Sequence, residues 1–175
     1  MHLCPIVINL DRATDRLLTL ATDLGAAGLS FERLPAVNGR DIPRRLASQF
    51  KDSHHLLDGE VGCYASHILA WEQIARSMEP WALVLEDDVR VPMDLSSRIE
   101  EIVARAPVGW DIIKLSSWAK HGEIVLTALS SGEKLVAYAR VPVLMGASLV
   151  TKAGALKLCG HRSRNAPVDV DRAIH

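Results

Sequence analysis

The sequence is poor in cysteine, in aromatic residues and in long apolar runs, and it carries no excess of either charge. Cys4, Cys63 and Cys159 are odd in number and far apart. That spacing fits neither a disulfide framework nor a zinc motif, so a reducing compartment, the cytoplasm, is the expected setting. Aromatic residues make up 5% of the chain. The longest stretches free of Lys, Arg, Asp and Glu are residues 61–71 and 141–151, against the roughly 20 apolar residues a membrane span needs. Residues 1–10 are apolar, but no basic residue precedes them and no small-residue cleavage site follows, which argues against a signal peptide. Twenty Lys and Arg nearly cancel 21 Asp and Glu, for a net charge of −1. A nucleic-acid partner is therefore not expected. Two nucleotide-binding signatures are also missing. No G-x-G-x-x-G follows the first apolar run and no G-x-x-x-x-G-K-[ST] occurs anywhere, which weighs against a dinucleotide oxidoreductase and a P-loop NTPase.

What remains has the composition of one soluble domain. The chain has 175 residues, 49% hydrophobic and 23% charged, which excludes a disordered, collagen-like or coiled-coil protein. Residues 4–10 form a short β-branched run that reads as a buried strand. A helix is expected over 14–27, capped by Thr14 or Asp15, with Leu17, Leu20, Ala21 and Leu24 on one face. A second strand is expected over 30–37, then a turn at Asn38-Gly39. This β-α-β opening predicts an α/β fold with a mainly parallel central sheet. Residues 40–58 are polar and read as a loop with one helical turn. Asp58 is expected to cap a helix over 59–77, apolar along both Ile68, Trp71, Ala75, Met78 and Cys63, His67, Ala70, Ile74. Residues 81–85 give the clearest central strand and 95–106 a third amphipathic helix. Short strands follow at 111–115 and 147–150, with a hairpin between 123–129 and 134–141 and a last helix over 152–159.

The most informative feature is Glu86-Asp87-Asp88, three acids directly after an apolar strand. Carboxylates are costly to bury without partners, and ligands of open α/β sheets bind beyond the carboxyl ends of the strands. A hard ion, Mg²⁺ or Mn²⁺, suits such an oxygen-only set. The same acids also read as a solvated strand end that caps the next turn. Arg12 and Arg16, one helical turn apart after the first strand, either reach toward a shared anion or pair with Asp11 and Asp15. Ser66 and His67 are polar residues in an apolar helix pattern. His67 reads first as a hydrogen-bonded core residue, Cys63 as core packing, and His54-His55 as solvated. Asp169 and Asp171 share a face in extended geometry, as a general base or as a frayed acidic terminus. Trp71 and Trp81 read as core, whereas Trp118, beyond Ser116-Ser117, is the candidate for stacking on a sugar.

Taken in order, several segments carry a family resemblance. They are Ile8-Asn9-Leu10-Asp11-Arg12 with Arg16, Phe31 through Gly39 (FERLPAVNG), Gly59-Glu60-Val61-Gly62-Cys63 with Ser66-His67, Trp81 through Val89 (WALVLEDDV), Trp110 through Leu115 (WDIIKL), Gly146 through Thr151, and Pro167-Val168-Asp169. Together they resemble glycosyltransferase family 25, of the lipooligosaccharide galactosyltransferase type. The resemblance implies a GT-A-like nucleotide-sugar-binding α/β/α sandwich. It also implies inverting transfer of a sugar, typically galactose from UDP-galactose, to a lipooligosaccharide or other cell-envelope glycan. Glu86-Asp87-Asp88 would stand for the family's D-x-D element, with Glu in its first place. On this reading Asp88 and Glu86 hold Mn²⁺ or Mg²⁺, and Asn9, Asp11, Arg12, Arg16, Asn38, Ser66, His67, Glu86 and Asp87 line the donor. Asp169, then Asp171, would supply the base. The partners are a UDP-sugar and a glycan or lipid-linked glycan acceptor, the latter compatible with peripheral contact at the inner face of the membrane. Members usually continue past the equivalent of His175, so the expectation is a single domain over 1–175 that stops short of the family's C-terminal segment. The alternatives are a catalytically incomplete nucleotide-sugar-binding domain, and a metal-dependent phosphatase or nucleotidyltransferase using the same acids.

Overall fold

The computed structural model describes residues 3–50, 56–115, 123–138 and 144–161. Asp169, Asp171, Trp118, His54 and His55 lie outside these residues. The elements run β1 (Ile6–Asn9), α1 (Thr14–Ala26), β2 (Glu32–Pro35), α2 (Arg44–Ala47), a 3₁₀ turn (Ser48–Phe50), α3 (Asp58–Arg76), β3 (Trp81–Glu86), α4 (Leu95–Arg105), β4 (Ile112–Lys114), β5 (Glu123–Ala128), β6 (Lys134–Tyr138), β7 (Ala147–Thr151) and α5 (Lys152–His161).

Five strands make the central sheet in the order β2-β1-β3-β7-β4. β1 pairs in parallel with both β2 and β3. β7 runs antiparallel between β3 and β4, so β1, β2, β3 and β4 all point the same way. The sheet is mainly parallel, as the β-α-β opening predicts.

Strand alternation sorts the apolar side chains into two cores. Ile6, Ile8, Val84 and Val150 face α3 and α5, where they meet Ile68, Trp71, Ile74 and Ala155. Val7, Leu83, Leu85 and Leu149 face the other way, onto Leu20 and Leu24 of α1 and Leu95 and Ile99 of α4. Helices on both faces of one sheet give the three-layer α/β/α sandwich. β5 and β6 form a separate antiparallel hairpin closed by Ser130-Ser131-Gly132, where Gly132 takes the left-handed conformation, φ +89°. Among the described residues no helix is long and apolar enough to cross a membrane.

Several local expectations need correction. The N-cap of α1 is Ala13, with no side-chain cap, rather than Thr14 or Asp15. Asp58 is the first residue of α3, not its cap. There Glu60 reaches back and accepts a hydrogen bond from the Leu57 backbone N–H at 2.7 Å, satisfying a donor that has no partner inside the helix. Met78 is no part of an apolar stripe. It follows the end of α3 and is 94% exposed. The polar stretch after Asn38 contains α2 and the 3₁₀ turn, whose Leu46 and Phe50 pack into the α3-side core.

Candidate functional site

The carboxyl ends of β1 and β3 lie side by side, with Ile8 opposite Glu86. Alternation continues past the end of β3 and separates the acid triplet. Glu86 keeps the direction of Val84, toward α3, while Asp87 keeps that of Leu85, toward α1. Asp88 is exposed in the turn that follows. The three carboxylates therefore do not converge on one point.

On the α1 side, Asn9 and Asp87 are both buried, and polar groups held there require partners. Asn9 Nδ2 donates to Asp87 Oδ2 at 2.6 Å and to the Ala13 carbonyl at 3.0 Å. Arg16, one turn into α1, sets its guanidinium 3.2 Å from the same Asp87 oxygen. Arg33 of β2 completes the group. Its Nε donates to Asn9 Oδ1 at 2.9 Å, and its Nη2 donates to the Asn9 carbonyl at 3.2 Å and also to Asp11. Asp11 thus pairs with Arg33, not with Arg12 or Arg16. Arg12 is exposed, with no ion pair among the described residues. Sequence reasoning gave Arg33 no role. The signal was the parallel register, which puts Arg33 opposite Val7 and so on the face that also carries Asn9.

On the α3 side, Cys63 and His67 stand one helical turn apart and meet Glu86. His67 Nε2 lies 2.9 Å from Glu86 Oε1, and the Cys63 thiol donates to the same oxygen at 3.3 Å. His67 is fully buried and Cys63 half-buried. Cys63 is thus more than core packing. The Glu86 carboxyl is held below its ordinary value. Burial is the largest single influence and pushes it up, but the hydrogen bond and electrostatic attraction of His67, the Cys63 hydrogen bond and the Arg16 charge together outweigh it.

α3 is fixed in place by contacts to the turn after β2. Ser66 Oγ accepts from the Val37 N–H at 2.8 Å and donates to the Gly62 carbonyl at 2.7 Å, so Ser66 ties backbone to backbone. A Cβ on Gly62 would meet the Val37 carbonyl oxygen at 2.6 Å, and one on Gly39 would meet the Asp58 oxygen at 1.7 Å. Only glycines permit that approach. Asn38 is exposed, and its side chain accepts from the Arg40 N–H at 3.2 Å. It makes no described contact with Asn9, Asp87 or Glu86.

The arrangement offers a buried Asn9–Asp87 pair flanked by Arg16 and Arg33 at two neighbouring parallel strand ends, an exposed Asp88 carboxylate with no partner among the described residues, and a thiol–imidazole–carboxylate cluster on the α3 side. Comparison with known proteins points to the same family as the sequence resemblance. The model of the family described as glycosyltransferase family 25 (LPS biosynthesis protein) matches residues 3–126. A glycosyltransferase 25 family member of Aedes aegypti is 32% identical over 120 residues, covering 61% of this chain and 20% of that protein. A human protein named inactive glycosyltransferase 25 family member 3 is 30% identical over 184 residues, 96% of this chain and 29% of its own length. A Drosophila melanogaster glycosyltransferase 25 family member is 25% identical over 181 residues, 96% and 29% of the two chains. The chain thus spans a fifth to about three-tenths of the length of these relatives.

Proposed function

Because the chain belongs to glycosyltransferase family 25, we propose that it binds a UDP-sugar, UDP-galactose first, at the carboxyl ends of β1 and β3 and passes the sugar with inversion to a lipooligosaccharide or other cell-envelope glycan. The observation that carries this reading is the buried Asn9–Asp87 pair, with Arg16 on its open side, at two neighbouring parallel strand ends. Ligands of open α/β sheets bind there. Arg16, half exposed beside Asp87, can also meet a diphosphate, for which a guanidinium is well shaped.

The donor set also bears on the metal. Glu86 is engaged by His67 and Cys63 and Asp87 by Asn9 and Arg16. No described residue engages the exposed carboxylate of Asp88. A hard ion needs only one or two carboxylates when substrate phosphates complete its shell, so Mn²⁺ or Mg²⁺ held by Asp88 and the donor's diphosphate fits. Such an ion supplies neutralising charge for the departing diphosphate. Arg16 adds to that stabilisation, while Asn9 and Arg33 keep Asp87 oriented. Single-step inversion requires a base for the acceptor hydroxyl; the Pro167-Val168-Asp169 resemblance supports Asp169, with Asp171 second.

The test is UDP release from UDP-galactose in the presence of Mn²⁺ and acceptor. The wild type should turn over, Asp88→Ala should not, and Asp169→Asn should bind donor without transfer. A wild type that neither binds nor turns over any nucleotide sugar overturns the proposal. A second reading is supported by the relatives themselves. The human protein that matches 96% of this chain is named inactive. Donor binding in calorimetry without turnover would favour a nucleotide-sugar-binding domain. Release of inorganic phosphate or pyrophosphate, rather than UDP, would point to phosphatase or nucleotidyltransferase chemistry.

A further inference from the structure

We propose that Cys63, His67 and Glu86 form a binding site for a Zn²⁺-class ion, separate from the hard-ion position at Asp88 and independent of any nucleotide sugar. One ligand atom from each residue, Sγ, an imidazole nitrogen and a carboxylate oxygen, lies within 4.8 Å of the others. Zinc bonds of about 2.0–2.3 Å in a tetrahedral shell imply ligand-to-ligand edges of roughly 3.3–3.8 Å. The N–O separation of 2.9 Å and the S–O separation of 3.3 Å are close to such edges, so small side-chain adjustments make room for the ion.

The chemistry of the set selects the ion. Sulfur and imidazole donors suit zinc, whereas Mg²⁺ and Mn²⁺ prefer oxygen alone. Zn²⁺ entry releases the thiol proton of Cys63 and requires His67 Nε2 free of its proton. Thiolate, neutral imidazole and carboxylate remain, and their two negative charges balance the ion. The scaffold is already in place. Cys63 and His67 are one turn apart on α3, and the Gly62–Val37 approach and the Ser66 hydrogen bonds fix that turn against the sheet. Three ligands leave a fourth position on the outward side, where the Glu86 side chain is 26% exposed, for a water molecule. The bound ion would staple the first turns of α3 to the end of β3.

Co²⁺ is a suitable probe, because a thiolate bound to it gives a near-ultraviolet charge-transfer band. The full chain, stripped with a chelator and titrated with Co²⁺, should develop the band at one equivalent and lose it on addition of Zn²⁺. Cys63→Ser should abolish the band with an unchanged circular dichroism spectrum, and the double variant Cys4→Ser, Cys159→Ser should retain it. In calorimetry Cys63→Ser should weaken Zn²⁺ by about tenfold or more, the consequence of losing the softest donor. If Cys63→Ser does not fold, the wild type still decides: one equivalent of Zn²⁺ should slow alkylation of Cys63, mapped by mass spectrometry, relative to Cys4. No band, a band that survives in folded Cys63→Ser, or unchanged alkylation of Cys63 would overturn the site and leave a hydrogen-bonded cluster. None of these readouts involves UDP or sugar transfer, so failure here is distinct from failure of the donor site.

Discussion

Each carboxylate of the acid triplet has its own surroundings, and the consequences differ residue by residue. Asp87 depends on Asn9, whose amide gives it a donor in a buried setting. Hydrogen bonds to charged groups contribute about 1.5–3 kcal/mol, so Asn9→Ala should lower stability by about that amount in urea denaturation. The isosteric Asn9→Asp should cost more, because it removes the donor and faces one carboxylate with another. At this scale the sequence was partly legible. Glu86-Asp87-Asp88 stood out because three acids follow an apolar strand, whereas Asn9 entered only through the family resemblance. Arg33 and Cys63 did not stand out. Arg33 becomes meaningful only once β1 and β2 are in register. Cys63 sits among apolar helix residues, and its partner Glu86 lies 23 positions away.

At the scale of elements, the critical joint is between the start of α3 and the turn after β2. Gly62→Ala forces a Cβ to within 2.6 Å of the Val37 carbonyl oxygen, and overpacking of this kind costs about 1–3 kcal/mol. Gly59→Ala, three residues earlier in the same helix, meets nothing within 4 Å and should stabilise by about 0.5–1 kcal/mol through helix propensity. Opposite signs in paired denaturation curves would verify the joint. Two destabilised variants would instead place the strain elsewhere in the helix. A second tie joins α1 to the segment after β3, where Arg90 donates to both Asp23 oxygens at 2.6 and 3.0 Å. That hydrogen bond, the largest influence, lowers the Asp23 pKa below its ordinary 3.8. A carboxyl depressed in the folded state contributes stability above its unfolded value and loses it as pH falls through the folded one. The urea midpoint of the wild type should therefore fall between pH 7 and pH 3 by more than that of Asp23→Asn. Element types were legible from apolar periodicity. Element ends were less so, since the N-caps Ala13 and Leu57 have no capping side chain to announce them.

At the scale of the whole molecule, the β-α-β opening made a mainly parallel sheet readable in advance, and the family resemblance implied the sandwich. The reversed direction of β7 was not readable, because an apolar run carries no mark of its orientation. This architecture places the carboxyl ends of β1 and β3, with Asn9, Asp87 and Asp88, together at one end of the sheet. A nucleoside diphosphate sugar is proposed to bind there. The most direct test is titration calorimetry of UDP with Mn²⁺ against the wild type and against Arg16→Ala, whose guanidinium lies half exposed beside Asp87. One site is expected in the wild type, weakened about tenfold or more in Arg16→Ala, the equivalent of roughly 1.4 kcal/mol, with the fold intact. A wild type that does not bind UDP, or equal affinity in the two proteins, would contradict the proposed binding.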